Sequence, residues 1–120
     1  MNRLPTVRRL VRVARAGACG MCALALMAFA GPAAAGDHVV TIAQMRFSPP
    51  VVKVHRGERI VWVNQDLVEH TVSARTKTFD SGSIAPGASW RYVASTPGSY
   101  SYQCLFHPAM RGTLIVEPKP

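Results

Sequence analysis

Residues 98–117 read GSYSYQCLFHPAMRGTLIVE. At both ends of this stretch polar residues alternate with aromatic or branched ones, a pattern typical of strands with one buried face. The pattern predicts strands over Gly98–Gln103 and Thr113–Glu117. Tyr100, Tyr102 and Cys104 then share an inward face, so the loop between the two strands begins with Cys104 at one end of a β-structure.

Similar short segments recur upstream, separated by turn-forming pairs such as Arg56-Gly57 and Pro97-Gly98. They predict five more strands, at His38–Ala43, Val51–His55, Arg59–Asn64, His70–Ala74 and Ser89–Ala94. Seven short strands at this spacing indicate an all-β, antiparallel Greek-key sandwich or barrel. We expect its core to be built from valines and from five aromatic residues, Phe47, Trp62, Trp90, Tyr92 and Tyr102.

The first 35 residues predict a secretory signal peptide that is removed on export. Arginines lead into an apolar run at 16–30, which is followed by Ala33-Ala34-Ala35, the order that export signals share. The run is shorter than the roughly 20 residues that span a bilayer, so a cleaved leader is favoured over a membrane anchor. We expect residues 36–120 to form one monomeric domain in the periplasm; the sequence leaves open whether Arg8-Arg9 marks a twin-arginine route.

The positive charge of the chain is concentrated in this leader. The formal net charge is +8, from 14 basic and six acidic residues, and five arginines precede residue 36. Nine basic and six acidic residues therefore remain, a net charge of +3. A small domain with so modest a charge does not indicate a nucleic-acid partner.

Cysteine usage gives the first indication of function. Cys19 and Cys22 lie inside the apolar run and leave with the leader, so we assign their C-x-x-C spacing no role. Cys104 is then the one cysteine of the exported domain. In an oxidising compartment an unpaired cysteine needs deep burial or a chemical role.

The loop after Gly98–Gln103 carries three metal-binding side chains, Cys104, His107 and Met110, in a C-x-x-H-x-x-M spacing. Soft sulfur ligands favour Cu(I) and imidazole suits Cu(II). One thiolate, two histidines and a weak, long thioether form the trigonal site of copper electron carriers. The spacing therefore predicts a mononuclear copper site, for which the loop supplies only one histidine.

The second histidine has three candidates. His38 begins the domain, and His55 adjoins the charged turn Arg56-Gly57-Glu58. His70 opens a predicted strand, and in a sandwich such a residue can lie at the same end as the Cys104 loop. We therefore predict that His70 completes the site.

Motifs along the chain resemble those of the cupredoxins, a family of small blue copper proteins. They are VWVNQD at 61–66, EHTV at 69–72, FDSGSIAPG at 79–87, PGSYSYQC at 97–104 and CLFHPAMRGTLIVE at 104–117. Two residues separate Cys104 from His107, two more separate His107 from Met110, and Arg-Gly follows. This short ligand loop is most similar to that of the amicyanins. The resemblance spans residues 38–117 and implies an eight-strand Greek-key fold. It also implies one type 1 copper with His70, Cys104 and His107 as equatorial ligands and Met110 as the axial ligand.

The resemblance implies an electron carrier, not an enzyme, that exchanges single electrons with redox proteins. The likeness to amicyanins suggests an amine dehydrogenase as donor and a c-type cytochrome as acceptor. We expect the outer edge of His107 to reach solvent within an apolar docking patch formed by Met45, Phe106, Pro108 and Ala109. The sequence departs from the family at Thr71, where asparagine is common; a threonine hydroxyl can still link the two ligand segments by a hydrogen bond.

Alternatives remain. A periplasmic copper carrier or store without a redox role is the main one, but such proteins tend to use methionine-rich sites, and only Met45 and Met110 follow residue 35. Zinc also binds cysteine and histidine, although a thioether contributes little there. Multicopper enzymes need further copper sites, and the chain has no His-x-His pair. A metal-free sandwich would leave the composition of the Cys104 loop unexplained.

A second copper motif depends on where the leader is cut. Cleavage after Ala35 would leave Gly36-Asp37-His38 as the N-terminus. Its amine, two amide nitrogens and imidazole can form a square-planar Cu(II) or Ni(II) chelate. Because the cleavage position is not defined by the sequence, we interpret the motif as a coincidence.

Overall fold

The structure, a computed structural model, describes residues 36–120 and, outside that range, Gly17 alone. The predicted signal peptide, with Cys19 and Cys22, lies outside the described residues. In the part of the chain that is described, no helix has the length and apolar character to cross a membrane.

The domain consists of strands, as predicted, arranged in two four-stranded sheets. The first sheet has the order β2-β1-β4-β6 and the second the order β3-β8-β7-β5. The strand bounds are β1 His38–Ala43, β2 Arg46–Ser48, β3 Val51–His55, β4 Arg59–Asn64, β5 Ser73–Ala74, β6 Ser89–Val93, β7 Gly98–Gln103 and β8 Arg111–Glu117.

Four strands differ from the sequence prediction, two of them only in their bounds: β6 ends at Val93 instead of Ala94, and β8 begins at Arg111 instead of Thr113. β2 was not predicted, because its three residues lie between a tight turn and Pro49-Pro50 and are too few for a visible alternation. The strand predicted over His70–Ala74 is reduced to the two residues of β5. Its first part pairs locally instead: His70 forms an isolated bridge with Ile84, and Val72 accepts a hydrogen bond from the Ser81 amide.

The pairing is also not purely antiparallel. β1 runs parallel to β4, and β3 runs parallel to β8. After β2 the chain crosses to the second sheet, forms β3, and returns to the first sheet as β4 in the direction of β1. As a result, β1, β4 and β7 end, and β3 and β8 begin, at the same end of the sandwich, which we call the loop end.

The core lies between the two sheets. Along β8 every second residue is buried, and β4 contributes Trp62, which is fully buried. The ring of Tyr102 packs edge-on against Trp62 and Phe47, with centroid distances of 5.6 and 4.8 Å. Two predicted core aromatics on β6, Trp90 and Tyr92, are only partly buried, because β6 is an edge strand. The aromatic cluster anchors β7 directly before Cys104.

Candidate metal centre

The segment that carries His70 is held by a buried asparagine at the end of β4. The Asn64 side chain is fully buried and donates to the carbonyl oxygens of Val68 and Ile84, both at 2.9 Å. Its own oxygen accepts from the Asp66 amide at 3.0 Å. The backbone of His70 also exchanges hydrogen bonds with Ile84. These contacts fix the fully buried His70 at the loop end.

The loop between β7 and β8 is closed by its own backbone. The Cys104 amide donates to the Met110 carbonyl at 3.1 Å, and the Met110 amide donates to the His107 carbonyl at 2.8 Å. Cys104 is fully buried, and Met110 is 4% exposed. The loop thus presents one thiol, one imidazole and one buried thioether within seven residues.

The two segments meet at the sulfur of Cys104. Its Sγ lies 3.7 Å from Nδ1 of His70 and 3.7 Å from Nδ1 of His107. The ligand atoms of the three residues all lie within 4.8 Å of one another, the one such group found among the described residues. The structure therefore brings these three predicted residues together, and it places Met110 in the same loop with backbone bonds to both loop partners.

These separations fit a shared metal ion. Bonds of the lengths known for zinc, about 2.3 Å to sulfur and about 2.1 Å to nitrogen, would separate the two donor atoms by about 3.8 Å if they met at about 120°. The observed 3.7 Å distances match that spacing on both sides of the sulfur. The donor set of thiolate, two imidazoles and thioether is that of trigonal copper sites.

Thr71 links the two segments. Its hydroxyl accepts a hydrogen bond from the Leu105 amide at 2.8 Å, and its own amide donates to Sγ of Cys104 at 3.3 Å. Thr71 is 3% exposed, and its hydroxyl also shares a hydrogen bond with Ser73. The threonine hydroxyl, which the sequence analysis considered able to form such a link, therefore does join the two ligand segments in the structure.

Asp66 is a neighbour of the site that the sequence analysis did not identify. Its carboxylate lies 2.8 Å from Nε2 of His70 and accepts hydrogen bonds from the amides of Gln44 and Met45. Burial acts most strongly on its pKa and would raise it, but the hydrogen bonds from Met45, His70 and Gln44 together leave the pKa below its ordinary value. The VWVNQD motif contains Asp66, yet spacing alone does not show that the loop folds this carboxylate onto the ring.

Exposed apolar side chains surround the loop end. His107 is half-buried, whereas Pro108 and Ala109 are exposed. Large exposed apolar residues come from three loops at this end, namely Met45, Leu67, Val68, Leu105 and Phe106. Leu67 and Val68 were not part of the predicted patch; they directly precede Glu69 and the buried His70 along the chain.

The two other histidines of the domain lie away from this site. Nε2 of His38 lies 2.8 Å from a carboxylate oxygen of Glu58. His55 packs between the carboxylates of Glu58 and Glu117. His38 is at the start of β1 and His55 at the end of β3, so both are at the end of the sandwich opposite the loop end.

Comparison with known proteins gives a consistent set of relatives. Residues 17–116 match the family model of the cupredoxin-like domain. The chain is 30% identical over 90 residues to amicyanin-alpha of Methylorubrum extorquens, covering 71% of this chain and 76% of that protein. It is 30% identical over 103 residues to the methylamine utilization protein MauL of the same organism, covering 81% of this chain and 88% of that protein. A solved Cu(I) form of an amicyanin mutant has a TM-score of 0.65 at 29% identity, covering 70% of this chain and 85% of that one.

Proposed function

The chain belongs to the cupredoxin-like family, and from that premise we propose that it carries single electrons on one copper ion held by His70, Cys104, His107 and Met110. Cys104 would supply a thiolate, His70 and His107 would each supply an imidazole, and Met110 would supply a thioether. When bound, copper supplies one-electron chemistry by alternating between Cu(II) and Cu(I). The protein is a carrier and not an enzyme.

The observation that carries this proposal is the convergence of Cys104 with two imidazoles at equal distances of 3.7 Å. Hydrogen bonds that involve no metal hold the donors there. Thr71 contacts both the Cys104 sulfur and the Leu105 amide, and Met110 closes the loop. Donors fixed in this way move little when the charge on the ion changes, and a small rearrangement favours fast electron exchange.

We further propose that partners dock on the apolar surface of the loop end, formed by Met45, Leu67, Val68, Leu105 and Phe106 around His107. An exposed apolar patch of this kind is typical of an interaction site, and redox encounters are usually small and transient. An amine dehydrogenase as donor and a c-type cytochrome as acceptor are the partners that the similarity to amicyanin supports. MauL, a methylamine utilization protein by name, points to the same chemistry.

The export proposal rests on residues 1–35. Their arginine-rich start, apolar run and small-residue site follow the order of a cleaved signal. Export to an oxidising compartment also suits a domain whose one cysteine, Cys104, is buried and would bind the metal.

Absorption and spin-resonance spectra of the copper-loaded domain test the function. We expect an intense blue thiolate-to-copper band, its loss in Cys104→Ser, and its retention in His55→Ala, which alters a histidine at the opposite end. A colourless loaded domain would refute the ligand assignment. A blue domain that exchanges no electrons with small redox mediators would instead favour the copper carrier or store.

A further inference from the structure

One carboxylate contacts both His70 and the turn between β1 and β2. Asp66 Oδ2 lies 2.8 Å from His70 Nε2 and accepts from the Met45 amide at 3.0 Å. Asp66 Oδ1 accepts from the Gln44 amide at 2.7 Å. The His70 side chain is fully buried, and that of Asp66 is 16% exposed. This contact is therefore largely shielded from water.

The contact with Asp66 determines which nitrogen of the His70 imidazole carries the proton. Nδ1 of His70 faces the sulfur of Cys104, and Nε2 faces the carboxylate. A carboxylate only accepts hydrogen bonds, so the proton belongs on Nε2 and the lone pair on Nδ1 points toward the metal position. A carboxylate behind a ligand histidine also orients the ring and raises its basicity.

The turn fixes the carboxylate from the other side. Gln44 and Met45 both have left-handed backbone conformations, with φ of 53° and 59°. This conformation aims two successive amides at Asp66, one at each oxygen. The Asp66 carboxylate is therefore held in place whether or not the imidazole moves. A group that orients a metal ligand must itself be fixed in this way.

We propose that Asp66 is a positioning residue that sets the ring orientation and tautomer of His70 and stabilises Cu(II) relative to Cu(I). This inference rests on the proposed copper function. Its physical reason is that a fixed negative charge behind the imidazole interacts more favourably with the more positive ion. Asp66 thereby lowers the midpoint potential of the protein.

The test compares Asp66→Asn with Glu69→Gln in the copper-loaded domain. Each variant removes one negative charge close to His70 in the chain, but Glu69 is exposed and the ring contact is made by Asp66. We expect Asp66→Asn to weaken Cu(II) binding relative to Cu(I) about tenfold, the low end of the roughly 10–100-fold loss of metal affinity that follows removal of such a supporting residue. For one electron this is an upward shift of about 59 mV. Glu69→Gln should change the ratio less than twofold, because water and salt screen its charge. Equal potentials in the two variants would overturn the inference.

Two further measurements separate positioning from a structural role. Asp66→Glu keeps the charge, so its midpoint potential should return toward that of the native protein. The unfolding temperatures of the copper-free Asp66→Glu and Asp66→Asn domains are measured alongside. If these temperatures are equal and the potential of Asp66→Glu does not return, Asp66 only supports the fold. Ring ¹⁵N shifts of His70 in the copper-free native domain need no variant. They should report the proton of the neutral ring on Nε2, and finding that proton on Nδ1 instead would refute the inference. If the native loaded domain is colourless, the proposed function itself has failed.

Discussion

Replacing Thr71 by valine tests whether its hydroxyl joins the two ligand segments. Valine keeps the shape of the side chain and removes the acceptor of the Leu105 amide, 2.8 Å away. The hydrogen bond is part-buried, and leaving its donor without a partner costs about 1–3 kcal/mol. Ser73 loses a contact as well but keeps its hydrogen bond to Asp80. We therefore expect a loss of about 2 kcal/mol in the free energy of unfolding.

The assay is thermal unfolding of the copper-free domain, so that metal binding does not mask the loss. For a domain of this size each kcal/mol lowers the melting temperature by about 4–8 °C, so we expect a fall of about 8–16 °C. Thr71→Ser is the matched control, because it keeps the hydroxyl and removes one methyl group, worth about 0.8 kcal/mol. If Thr71→Val melted at or above the temperature of Thr71→Ser, the hydroxyl link would contribute nothing and the reasoning would be wrong.

Further predictions concern docking, packing and pH. Phe106→Glu should slow electron exchange with partner proteins at least tenfold, measured by stopped flow, because it places a charge in the apolar surface; Val93→Glu, equally exposed at 53% but at the opposite end, should leave the rate unchanged. Gly112→Ala should cost about 1–3 kcal/mol or more in denaturant unfolding, because its Cβ would lie 2.3 Å from Cζ of the buried Tyr102; Tyr102→Leu should relieve that cost in the double variant. Burial raises the pKa of Tyr102 to about 12, so the folded state keeps a proton that the unfolded chain loses near pH 10. Stability should be full below pH 10 and should fall by about 2–3 kcal/mol as the pH rises from 10 to 12, and Tyr102→Phe should remove that part of the decline.

Much of the fold is readable from local residue order. Alternation along Arg59–Asn64 and Gly98–Gln103 gave strand bounds that match the structure, because one buried face imposes a two-residue period. β2 and the shortened β5 were not readable, since three and two residues carry no period. The parallel pairs β1–β4 and β3–β8 depend on which sheet each strand joins, and alternation carries no information about that choice.

The candidate site likewise has residues that the sequence identified and residues whose positions only the fold determined. Cys104, His107 and Met110 were identifiable because one short loop carries all three donor types at a recurring spacing. Choosing His70 over His38 and His55 required an argument about which end of the sandwich each histidine reaches, and the structure places His70 beside the sulfur.

Donor chemistry and strand period are properties of neighbouring residues, so they can be recognised before the chain folds. The contacts of Asp66 and Thr71 are different, because their partners lie at sequence separations of 21 and 34 residues for Met45 and Leu105. Such contacts arise when packing of the two sheets brings three loops to one end and buries their polar groups. Each buried polar group must then form a hydrogen bond with a donor or acceptor at that end of the sandwich. The fold of the backbone determines which donors and acceptors are within reach.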